Sequence, residues 1–206
     1  MSLITYDRCF EATKKHYEQL TAKKYDYVII GQAWLYYALN DDINQLTLAN
    51  TKTSKNSHGI EALKEALDNS LHIIVKSGAR PIIIRDAQLA NSERNPYFTG
   101  GTTLKSHSVK SRFFSKKSNS NSFPDDRQTS PVQKQLDQIF SEMKAKYNEL
   151  MIINLSDVQC ENNLCKTEID GYPVYRDEGY HLSDYASFQF GKIYSEKHGN
   201  PFMHKK

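Results

Sequence analysis

The sequence predicts an α/β fold, a parallel sheet in three layers with helices on both faces. Three observations point there: short unbroken apolar runs, segments of helical period between them, and turn residues at the joints. Residues 8–24 carry Phe10, Tyr17 and Leu20 among charges and read as a helix leading into the strand Tyr27-Val-Ile-Ile30, which Gly31 closes. After Gly59, the residues Ile60, Leu63, Leu67, Leu71 and Ile74 recur at helical spacing, and Gly78 ends that helix before the strand Pro81-Ile-Ile-Ile84. The unit then repeats. Ser130 and Pro131 open a helix whose apolar face is Val132, Leu136, Ile139, Phe140 and Met143, and the strand Leu150-Met-Ile-Ile-Asn-Leu155 follows. A last helix starts at the N-cap Ser183, with Leu182, Ala186, Phe190 and Ile193 on one face.

At 206 residues and 38% hydrophobic, the chain suffices for one core, so residues 1–206 read as a single domain. The 27 basic and 24 acidic residues leave a net charge of +3, too small to argue for nucleic acid as a partner. Locally, Lys105, Lys110, Arg112, Lys116 and Lys117 surround Phe113 and Phe114 within the Ser- and Asn-rich residues 104–122, which read as a mobile solvated loop rather than a single-strand or membrane surface. The longer segment 86–130 lacks periodicity, as a lid or an unstructured connection would. No signal peptide or membrane span is legible, which taken alone suggests a cytoplasmic chain.

The chemistry concentrates near the C-terminus. His181 follows Asp177 and Glu178 in a loop marked by Pro173 and Gly179, immediately before the last helix. A neutral imidazole becomes a general base when a carboxylate holds one ring nitrogen, fixing its tautomer and stabilising the imidazolium formed in the reaction. Either acid could do this. The bland reading is a loop histidine that caps backbone carbonyls. Elsewhere, Trp34 and Gly31 sit where a strand ends: Trp34 either lines a substrate pocket or packs the core, and Gly31 either admits close backbone approach or simply ends the strand. The histidines at 16, 58, 72, 107, 198 and 204 have no zinc-like spacing, so no metal is expected, and no strand leads into a glycine-rich phosphate loop, so no cofactor is expected either.

Cys160, Cys165, Gly171, Pro173, Tyr175, Asp177, His181, Leu182 and Ser183 together resemble the last block of the SGNH hydrolase domains fused to bacterial membrane acyltransferases, which O-acetylate surface polysaccharides. There a cysteine pair precedes a Gly-x-Pro-x-Tyr-x-Asp stretch and then His-Leu-Ser. The resemblance implies an SGNH/flavodoxin-like sheet, His181 as base and Asp177 as its orienter. That family usually places the acid three residues before the histidine, a slot Glu178 fills here, so Glu178 stays the alternative. The resemblance also implies a carbohydrate acceptor, a membrane acyltransferase domain as companion in the same polypeptide, and a place on the periplasmic side of the membrane.

The resembled nucleophile motif, Gly-Asp-Ser after the first strand, occurs nowhere in this sequence. Tyr27–Trp34 matches instead the family's third block, which implies a domain lacking its first strand and N-terminally incomplete, without covalent catalysis of its own. The alternative is a non-catalytic carbohydrate- or partner-binding remnant that stacks ligands on Trp34, Tyr175 and Tyr180. For Cys160 and Cys165, separated by Glu-Asn-Asn-Leu, a small-loop disulfide is geometrically possible, and the resemblance supports the pairing. Cys9 is left over.

Overall fold

The computed structural model describes residues 3–39, 59–88, 122–125, 127, 130–177 and 181–203. Glu178, Tyr180, residues 104–121 of the Ser- and Asn-rich stretch and the Cys9 side chain lie outside the described residues. In chain order the elements are α1 (Leu3–Ala22), β1 (Tyr27–Gly31), α2 (Trp34–Leu39), α3 (Gly59–Lys76), β2 (Arg80–Arg85), β3 (Ser122–Pro124), α4 (Pro131–Lys146) and β4 (Met151–Asn154). The short α5 (Ser156–Gln159) follows, then β5 (Cys160–Glu161), β6 (Leu164–Lys166), β7 (Glu168–Ile169), β8 (Tyr172–Pro173) and α6 (Asp184–His198). Contacts group these into two compact units, Met1–Arg85 with Arg127–Ile153, and Asp86–Asp126 with Asn154–Lys206.

The first unit is the α/β layer structure that apolar periodicity predicts. Its sheet has the order β1-β2-β4, with β1 and β2 parallel in the register Tyr27↔Arg80 to Gly31↔Ile84. Parallel neighbours need a crossover, and α3 supplies one between β1 and β2. Gly78 takes φ 84 just after α3, the left-handed residue that lets the chain turn into β2. At α4, the Ser130 hydroxyl accepts the Gln133 N–H and Pro131 occupies the first turn, as the sequence anticipates.

Burial follows the same pattern. Leu63, Leu67 and Leu71 of α3 meet Leu136, Ile139, Phe140 and Met143 of α4 around Trp34, Ile83 and Leu150. A polar rim surrounds this core. Lys146 pairs with Asp68 at 2.7 Å, and the Tyr147 hydroxyl donates to Asp68 Oδ1 at 2.8 Å. Burial pushes the Asp68 carboxyl up, but the hydrogen bonds from Lys146 and Tyr147, aided by the charges of Lys146 and His72, outweigh it and hold the group below its ordinary value.

The second unit is assembled differently. Its strands are two or three residues long: β3 and β5 flank β6 in one antiparallel sheet, and β7 and β8 form a separate hairpin. Asn162 and Asn163 take φ 52 and 62 in the β5–β6 turn, and Asp170 and Gly171 take φ 52 and 81 in the β7–β8 turn. These are the left-handed two-residue turns that suit the twist of a tight hairpin, and Asn and Asp-Gly are the residues that tolerate them. Phe123, Val158, Cys165, Ile169, Val174, Tyr175, Ala186 and Phe190 form its core.

Candidate functional site

A short ladder in the second unit positions the Asp177–His181 pair. Arg176 N–H donates to His181 O at 3.0 Å, Tyr175 and Leu182 form an antiparallel bridge, and Ser183 N–H donates to Val174 O at 2.8 Å. Ser183 also joins loop to helix: its hydroxyl donates to Pro173 O at 2.6 Å and accepts from Ala186 N–H at 3.1 Å, capping α6.

On this ladder Asp177 holds His181 twice. One carboxylate oxygen, Oδ1, accepts the His181 backbone N–H at 3.0 Å; the other, Oδ2, bonds to the ring Nδ1. A carboxylate on Nδ1 selects the tautomer that leaves Nε2 as the proton acceptor. The His181 side chain is 64% exposed and Asp177 37%, so the ring is open to an incoming molecule. The arrangement can take up a proton at Nε2 and stabilise the resulting imidazolium.

The two other residues singled out in sequence belong to the first unit. Trp34 is 2% exposed, meets Phe140 edge-on with centroids 5.2 Å apart, and donates from Nε1 to Ile84 O at 2.8 Å. Its ring serves the core and presents no face on which a ligand could stack. Tyr175, at 1% exposure, is equally closed as a stacking platform. Gly31 pairs with Ile84 in β1, and a Cβ there would meet only the Ile84 Cβ at 4.0 Å, ordinary contact, so packing does not demand glycine.

Cys160 and Cys165 are bonded, S–S 2.11 Å, across the β5–β6 hairpin, where they face each other in register. Asp125 brings a carboxylate oxygen within 4.8 Å of both sulfurs, the one cluster of metal-ligating side chains among the described residues. With the sulfurs joined, neither is the thiolate that a metal requires.

Sequence reasoning missed Gln159, a fully buried side chain with several polar partners. Its Oε1 accepts the Gln88 N–H at 2.6 Å; its Nε2 lies 3.2 Å from Gln88 O, 3.3 Å from Lys166 O and 2.6 Å from the Tyr175 hydroxyl. The Tyr175 hydroxyl itself donates to Gln88 O, and Ser156 Oγ donates to Asp86 O at 3.2 Å. Together these clamp Asp86–Gln88, irregular chain whose backbone groups have no ladder to satisfy them. A lone glutamine has no periodicity that would announce this role. The hint was its place between an apolar valine and a paired cysteine.

The family model described as "SGNH domain (fused to AT3 domains)" matches residues 2–196. No curated protein and no solved structure matches the chain. Among the described residues, no helix is long and apolar enough to cross a membrane.

Proposed function

Because the chain belongs to the SGNH domains fused to AT3 domains, a hydrolase- and acyltransferase-like family, we propose that it serves acetyl transfer to or from carbohydrate hydroxyls, with His181 as base and Asp177 as its orienter. One observation carries the assignment: a single carboxylate binds both the ring nitrogen and the backbone amide of the same histidine. In such a reaction Nε2 takes the proton of the attacking hydroxyl, Asp177 stabilises the imidazolium, and the proton then passes to the leaving group. The acetyl group ends on a sugar hydroxyl, or on water if the enzyme works as an esterase.

The sequence contains no Gly-Asp-Ser motif, so we expect this chain alone to form no acyl-enzyme. The disulfide supports work in an oxidising compartment, and the family's fusion to AT3 domains supports a place beside a membrane acyltransferase domain, on the periplasmic side. Acetyl content of the surface polysaccharide, measured in cells whose copy carries His181→Ala or Asp177→Asn, should fall to background; unchanged acetylation in both would sink the proposal. Separately, a serine-reactive fluorophosphonate should leave the isolated chain unlabelled, and labelling that vanishes in His181→Ala would contradict the missing nucleophile.

The same missing motif favours a second reading, a carbohydrate-binding remnant without catalysis. Its stacking surface would have to lie away from Trp34 and Tyr175, which are buried. Saturable glycan binding with acetylation indifferent to His181→Ala would support it over the first.

A further inference from the structure

Tyr172 and Tyr185 stack on one another with centroids 4.4 Å apart and planes tilted 34°. Tyr172 is 54% exposed even with Tyr185 against its ring. The Tyr185 hydroxyl donates to Asp170 Oδ2 at 2.9 Å, and this bond, with lesser help from burial and the Asp170 charge, raises the phenol's pKa. Asp170 is exposed, and among the described residues its Oδ1 accepts no hydrogen bond. None of this is a loose surface. Asp170 sits in the left-handed turn of the β7–β8 hairpin beside Tyr172, and Tyr185 lies in the first turn of the capped helix α6.

An open aromatic face beside a carboxylate acceptor is the pairing that sugar recognition uses: the ring covers the apolar C–H face of a pyranose while the carboxylate takes its hydroxyls. Strand β8 runs on from Tyr172 and Pro173 into residues 174–176, one side of the ladder that carries the His181 pair. Tyr185 follows His181 by four residues, so their Cα atoms lie no more than about 14 Å apart. That is within the reach of neighbouring sugars of one chain. Asp170 adds a negative charge that repels an acidic sugar at close range.

We propose that Tyr172, Tyr185 and Asp170 form a subsite for a neutral pyranose ring of the carbohydrate, adjacent to the sugar whose hydroxyl reacts. The subsite rests on the carbohydrate assignment above and adds to it the class of sugar, neutral rather than uronic.

The test is calorimetric titration of the full chain with glucan, mannan and chitin hexamers as neutral probes and a galacturonate hexamer as the acidic one. At least one neutral hexamer should bind, the galacturonate hexamer should not, and Tyr172→Ala should weaken the neutral binding about tenfold. Asp170→Asn keeps a residue that tolerates the left-handed turn and should let the galacturonate hexamer bind. Neutral binding that survives Tyr172→Ala and Tyr185→Ala unchanged overturns the subsite alone and leaves the acetyl-transfer assignment standing. Absence of binding to every neutral hexamer overturns the subsite, while the acetyl-transfer assignment falls only if acetylation survives His181→Ala and Asp177→Asn. Loss of acetylation in His181→Ala remains a separate outcome.

Discussion

The two units solve the same problem with different means. In the first, long helices and parallel strands satisfy their own backbone, and side chains are left free to build an apolar core of leucine, isoleucine and phenylalanine. In the second, the strands are too short to do this, and buried side chains finish the work: Gln159 and Tyr175 clamp Asp86–Gln88, Ser183 ties loop to helix, and a disulfide closes a hairpin. The Asp177–His181 pair stands on the second kind of structure. The lesson is that a loop-rich region can hold a side chain in place when each irregular backbone group has a side-chain partner.

The contrast can be broken most sharply at its polar centre. Gln159→Leu leaves the Gln88 N–H without its acceptor and takes one donor from Gln88 O, and should destabilise the second unit by about 3 kcal/mol, seen as faster amide hydrogen exchange over residues 154–177. Little change there would mean that the clamp is ornamental. Leu71→Ala, at a fully buried position, should cost the first unit about 3 kcal/mol through the cavity it leaves, and exchange should quicken in α3 and α4. Reducing Cys160–Cys165 releases a short loop, sequence separation five, and should lower stability by about 2 kcal/mol in thermal unfolding, with the exchange change centred on β5 and β6.

Acid should weaken the Asp68 cluster of the first unit and leave the Gln159 clamp of the second untouched. Asp68 has a folded pKa below its unfolded value, so its stabilisation is complete above about pH 4 and fades as pH falls through the lower folded value. Asp68→Asn should flatten that part of the acid unfolding curve for the first unit, whereas the amide of Gln159 does not titrate and its clamp should be indifferent. The smallest effect is expected at Gly31→Ala, where the added methyl meets ordinary contact: under about 0.5 kcal/mol by denaturant unfolding. A large loss of acetylation from so mild a change would show that a ligand approaches that backbone.

The first unit was largely legible in sequence because its information is periodic. Tyr27–Ile30 and Pro81–Ile84 fall within a residue of β1 and β2, and the cap at Ser130 is where its side chain predicts it, as is the Ser183 cap in the second unit. Helix α2 was not anticipated, since Trp34–Leu39 is a single apolar stretch too short to display a period. In the second unit, two-residue strands carry no alternation, and the role of Gln159 arises from partners up to 71 residues away. The contact of Asp177 with His181 was legible from spacing and chemistry, though the choice over Glu178 rested on the surrounding motif. The Tyr172–Tyr185 pair escaped notice because thirteen tyrosines give no reason to prefer two of them.

The double grip of Asp177 on His181 spans only four residues of chain. Contacts so close in sequence lose little entropy on closure and form within about 100 ns of each attempt, long before distant strands can meet. The imidazole's orientation is therefore written into one peptide segment, available to form early as the chain folds and transferable, with its Ser183 cap, to another helix start.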